Sequence, residues 1–149
     1  MILLTIIISC KSVNLTLGEK YSSKKGVRNI EKIFLPNNTY ANSFDVVNND
    51  ILFKIGLNEE SEIIFITTKD LNFKTNGFKI DDEIGKELNK KEKEKIEGWG
   101  QFILLDTGWY VGFDDKEIVN ENSKIKWFFK FNFKQSKSNA KLKLTNKKF

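Results

Sequence analysis

Residues Ile125 to Phe133 read IKWFFKFNF, and no other stretch limits the fold as tightly. Ile125, Trp127, Phe129, Phe131 and Phe133 recur at every second position, the period of an extended chain. Lys126, Lys130 and Asn132 take the alternate positions, and Phe128 is the exception. A helix would scatter these rings around its axis, so a strand with one aromatic face is expected. Trp127 and its neighbouring phenylalanines read as core.

Similar alternation recurs upstream. Strands are expected at Val13 to Leu17, Phe44 to Val47, Ile51 to Leu57, Glu62 to Thr68, Phe78 to Ile80, Gln101 to Leu105 and Trp109 to Phe113. The stretch PNNTYANS reads as loop. Asn48-Asn49-Asp50 and Asn58 to Ser61 have turn chemistry. Two segments show helical spacing instead. Val27, Ile30, Ile33 and Phe34 share one helical face, with Ser22 and Ser23 as N-cap candidates and Pro36 as the stop. Ile84, Leu88 and Ile96 form a thinner stripe. There Asp81, Asp82 and Glu83 read as an acidic cap and Gly98 as the C-terminal stop.

The two halves have the same order of elements. Leu15 and Leu17 match Phe78 and Ile80 at a separation of 63, and the strand at 62–70 matches that at 125–133 at the same separation. An internal repeat of pattern is expected, with units 13–70 and 77–133 inside one domain spanning 13–133. The expected class is α+β: two helix-plus-antiparallel-strand repeats forming a curved antiparallel sheet, with helices packed on one face.

Composition restricts the chemistry. The chain of 149 residues has no histidine and one cysteine, Cys10. That removes the commonest general base and zinc ligand, and every Ser-His or Cys-His pair. No catalytic residue, metal site or cofactor is expected. Asp81, Asp82 and Glu83 lack the alternating spacing of a calcium loop. Asp106, Asp114 and Asp115 are the acids a carboxylate-only glycan hydrolase would use, but a solvated turn explains them more simply. The net charge of +5 is concentrated in 134–149, which holds six lysines and no acid. The remainder has 19 basic and 20 acidic residues, so no nucleic-acid partner is expected of the body. The tail reads as a disordered terminus, with contact to anionic lipid headgroups or anionic polysaccharide as the alternative.

Positions 2–9, ILLTIIIS, carry no charge and run into Cys10. Eight residues reach only about 12 Å as a helix, too short to cross a bilayer. Ile7-Ile8-Ser9-Cys10 resembles the bacterial lipobox. The resemblance implies a signal peptide at 1–9, a lipidated Cys10 and a tether at 10–12, hence a protein of the cell envelope held at the membrane by its acyl chains, facing the periplasm or the cell surface. The usual basic residue before the apolar run is missing, which points to a start upstream of Met1. The competing reading of 1–10 is an ordinary Ile-rich strand.

The run IIFITTKDLNFKTNGFKIDDEIGKEL resembles a segment of small bacterial envelope lipoproteins, with Phe73, Thr75 and Gly77 in its turn. GWGQFILLDTGWYVGF (98–113) is similar to their aromatic hairpin. The repeated unit resembles the β-lactamase-inhibitor-protein-like tandem fold, which implies helices on one face of the sheet and the other face open to a partner. Where that family often has glycine after the second short strand, this chain has Asp81. Trp99, Trp109 and Tyr110, set among glycines, are the candidate binding residues for another envelope protein or a cell-wall glycan. The expected role is a non-catalytic binding module. The alternatives are an inhibitor or immunity-type protein that plugs a cleft with residues 97–110, and the carboxylate-only hydrolase.

Overall fold

The computed structural model describes residues 15–22 and 28–132. The expected signal peptide, Cys10 and its tether, Val13, Asn14, Ser23, Val27, Phe133 and the 134–149 tail lie outside the described residues. In chain order the elements are β1 (Arg28–Phe34), β2 (Tyr40–Asn48), β3 (Ile51–Leu57), β4 (Ile63–Thr68), β5 (Lys74–Thr75), β6 (Phe78–Lys79), α1 (Gly85–Asn89), β7 (Lys93–Ile96), β8 (Gly100–Leu104), β9 (Tyr110–Gly112) and β10 (Trp127–Phe131). Eight strands form one sheet in the order β1-β2-β3-β4-β10-β9-β8-β7, and each neighbouring pair is antiparallel. β5 and β6 make a separate hairpin.

The α+β expectation is therefore overturned. Among the described residues the only helix is the five-residue α1, and no helix layer covers the sheet. None is long and apolar enough to cross a membrane. The segment expected to be the first helix is β1. Its backbone pairs with β2 through Glu31↔Ser43, Lys32↔Asn42, Ile33↔Ala41 and Phe34↔Tyr40. The apolar spacing misled because a register shift between Arg28 and Glu31 interrupts the period of two, and because Ile30 is 74% exposed. Tyr40 to Ser43, expected as loop, open β2.

The expected second helix survives only as α1. Ile84 and Leu88 lie one turn apart and are buried together, but the next apolar residue is Ile96. A helix continued through Lys90 to Lys95 would have had nothing to bury. The chain extends instead as β7, a charged edge strand that discourages further pairing. The acids 81–83 do not cap α1. Its N-cap is Ile84, without a side-chain cap, and Gly98 sits with φ 79° in the β7–β8 turn. The strand expected at 13–17 is, in its described part, a turn leading to a single bridge, Lys20↔Glu62.

Both faces of the sheet are apolar. On the front face Phe44, Val46, Phe53, Ile55 and Ile66 pack beneath Leu15, Leu17 and Tyr21. Ile103, Val111 and Phe128 pack beneath Ile84, Leu88, Val119 and Ile125, which come from the connecting segments. The rear face has no such cover among the described residues. Ala41, Phe65, Phe102, Phe129 and Phe131 cluster there with Leu35 and with the partly buried Ile33, Ile96, Trp99, Tyr110 and Trp127. Leu35 and Ala41 belong to one end of the strand order, Phe102 and Trp99 to the other, so the apolar surface runs across most of the sheet. β10 sits at the centre with rings on both sides, which is why Phe128 broke the alternation of its neighbours.

The backbone repeats itself. Gly18 N donates to Ile63 O (2.8 Å), Ile63 N to Glu19 O (2.9 Å) and Tyr21 N to Ser61 O (2.9 Å). In the second half Asp81 N donates to Ile125 O (2.8 Å), Ile125 N to Asp82 O (3.0 Å) and Ile84 N to Ser123 O (3.1 Å). Gly18 and Asp81 both take positive φ, 86° and 69°. Asn58 and Asn120 close matching turns, their side-chain oxygens accepting from Glu60 N and Asn122 N. Across the sheet, the row Glu31–Ser43–Gly56–Phe65 corresponds to Glu94–Phe102–Gly112–Trp127. The two meanders meet at β4 and β10, and a pseudo-twofold axis passes through the pair Thr67↔Phe129. What recurs is a strand meander with its leading turn, not a helix-plus-strand unit.

Candidate binding surface

Four rear-face rings touch in succession. Tyr110 stacks on Phe129 at 5.0 Å, Phe129 on Trp127 at 4.7 Å, and Trp127 meets Trp99 at 5.0 Å. Phe129 is fully buried and acts as the floor, while Trp99, Tyr110 and Trp127 remain partly exposed. Local sequence explains each position. Tyr110 and Phe129 are cross-strand partners, and Trp127 lies two residues from Phe129 on the same side of β10. Trp99 rides on the turn between β7 and β8, held between Gly98 (φ 79°) and Gly100 (φ 75°). It reaches back to Phe65 at 5.5 Å.

Gly112 makes the arrangement possible. It pairs with Trp127, and a Cβ placed on it would lie 2.2 Å from Trp127 Nε1. The indole therefore lies flat on bare backbone, the way an aromatic residue covers a strand glycine.

The three sequence candidates separate. Trp99 and Tyr110 share the rear face. Trp109 is on the front, 4.8 Å from Phe73 and 6.3 Å from Phe53, with Lys130 Nζ 5.0 Å from its ring centroid. Trp127, expected as plain core, takes the place of Trp109 in the rear cluster. Residues 97–110 do not form one projecting loop; they comprise the β7–β8 turn, β8 and the β8–β9 turn.

Polar groups flank the rings. Lys54 lies between Glu31 and Asp45 on the rear face, hydrogen-bonded to the first and 3.3 Å from the second. Burial works to lower its pKa, but the hydrogen bonds to Glu31 and Asp45 outweigh it and the ammonium is held above its ordinary value. The Tyr110 phenol is pushed up by burial and by the negative charge of Glu94. On the front, burial lowers Lys130. Sequence reading overlooked the Lys54 cluster and Lys130. The first had a signal: Glu31-Lys32-Ile33 recurs as Glu94-Lys95-Ile96, 63 residues later. The second had none, since a lysine within an alternating strand reads as solvent-facing.

The candidate acids are dispersed. Asp106 is exposed and paired with Lys91, and Asp114 and Asp115 are exposed beyond β9. Asp82 accepts a hydrogen bond from Lys79 N, and Asp81 lies 3.7 Å from Lys126. Among the described residues no group of three potential ligands could hold a metal ion. No family model matches the chain, nor does any curated protein or solved structure.

Proposed function

We propose that this chain is a non-catalytic binding module of the bacterial cell envelope, anchored through Cys10, whose rear sheet face binds cell-wall glycan. The observation that carries the reading is the trio Trp99, Tyr110 and Trp127, partly exposed above a buried Phe129. Rings fixed in this way offer apolar edges and faces to sugar C–H groups at little entropic cost. The dispersed acids and the absence of histidine support a binding role over a reaction.

Fluorescence titration of the full chain with soluble fragments of bacterial cell-wall glycan tests this. Trp99→Ala should weaken binding by roughly tenfold, the loss expected for one aromatic anchor, while far-UV circular dichroism stays that of the parent. Binding that is undetectable in the parent, or unchanged in a folded Trp99→Ala protein, would reject the proposal.

A further inference from the structure

The internal duplication supplies a comparison within one molecule. In the first half, the rear-face row Asp45–Lys54–Thr67 places the Lys54 ammonium between Glu31 and Asp45. The corresponding row in the second half is Leu104–Tyr110–Phe129, and the counterpart of Glu31 is Glu94. The glutamate is kept, the lysine is replaced by a tyrosine, and Ser43, on the strand between them, is replaced by the buried Phe102, whose ring meets Tyr110 edge-on at 5.4 Å. Among the described residues Glu94 has no ion-pair or hydrogen-bond partner. Its strand neighbours do not supply one. Lys93 Nζ bonds the Asn89 carbonyl, and adjacent residues of a strand, Lys93 and Lys95 here, point to the opposite face.

We propose that Glu94 is a receptor for a primary ammonium group on the ligand of this face, seated against the Tyr110 ring where Lys54 sits in the other half. The proposal rests on the glycan reading above and narrows it to wall components that carry a free amine. The register places Glu94 and Tyr110 in adjacent rows on either side of β8, and burial, then the negative charge of Glu94, pushes the phenol up. An ammonium there would gain both the carboxylate and the ring quadrupole, as lysine does in cation–π contacts. Leu104, 44% exposed, borders the position and would cover the alkyl or sugar carbons beside the amine.

The test compares two soluble probes with the same sugar backbone, a chitosan tetramer with free amines and its counterpart with every amine converted to an acetamide, by titration monitored through backbone amide NMR shifts of the full chain. The free-amine tetramer should bind roughly fivefold more tightly or better, with the largest shifts at Glu94, Phe102 and Tyr110. Glu94→Gln, a change at an exposed position, should erase the preference. Equal binding of both probes overturns the ammonium site and leaves the glycan reading standing. A preference that persists in Glu94→Gln overturns it as well. n-Butylammonium alone provides the separating arm. Saturable shifts around Glu94 that vanish in Glu94→Gln support the site even where neither tetramer binds, an outcome that fails only the glycan reading.

Discussion

Single residues decide how close the backbone and rings approach. Gly56 and Gly112 occupy equivalent rows, each opposite a ring of a central strand. A Cβ at Gly56 would meet Phe65 Cβ at 3.3 Å, a tight but adjustable contact, whereas at Gly112 it would sit inside the Trp127 indole. Gly112→Ala should therefore destabilise the protein by about 2 kcal/mol, in the range for overpacking, and Gly56→Ala by less than about 1 kcal/mol. Urea midpoints of the two variants check the contrast. Trp127→Ala in the Gly112→Ala background should relieve the clash, giving a non-additive cycle. Lys54 carries a pH dependence of known sign. Its folded pKa is raised, so its contribution is complete below its unfolded value of 10.5 and is lost as pH rises through the folded value. The parent should lose stability as pH rises above 10.5, and Lys54→Met should lose less, read from thermal midpoints across that range. Equal alkaline sensitivity in both proteins would contradict the pairing with Glu31 and Asp45.

Hairpin chemistry fixes most of the elements. The β5–β6 turn places Asn76 and Gly77 at φ 51° and 83°, the residue pair that a two-residue turn with both central φ positive prefers. The β2–β3 turn has the same form, but its second position is Asp50 at φ 61°. Asp50→Gly should stabilise the protein by roughly 0.5–1 kcal/mol, because glycine removes the Cβ penalty of that conformation. The denaturation midpoint should rise without a change in slope. Strands bounded by such turns were legible: 51–57 was expected and found, and the expectations 62–68 and 101–105 lie one residue from the observed β4 and β8. Segments 27–34 and 84–96 were not. Their apolar residues match a helical period over one or two turns, too short to exclude a strand. The choice fell to β2 and β8, whose unpaired edges the two segments satisfy.

For the whole molecule, the pseudo-twofold arrangement puts β4 and β10 at the centre and the charged β7 at one edge. The anchor proposal belongs to this scale, since it decides where the sheet is displayed. Cys10→Ala should leave far-UV circular dichroism unchanged and move the protein from the membrane to the soluble fraction on fractionation. A variant that remained with the membrane would remove lipidation as the tether. The surface was only partly legible. Trp99 and Tyr110 were recognisable from their glycine-flanked hairpin, but Trp109 faces the front while Trp127 joins them at the rear, because adjacent residues of an extended chain point to opposite faces and the β9–β10 register sets Trp127 beside Tyr110. Sequence by itself determined the alternating strands, the turn positions and the absence of histidine chemistry, since each is set by a residue and its near neighbours. Only the tertiary structure decided that both apparent helices extend into strands and which rings share a face. Those outcomes depend on which distant edge completes a backbone's hydrogen bonds, and no local pattern records that.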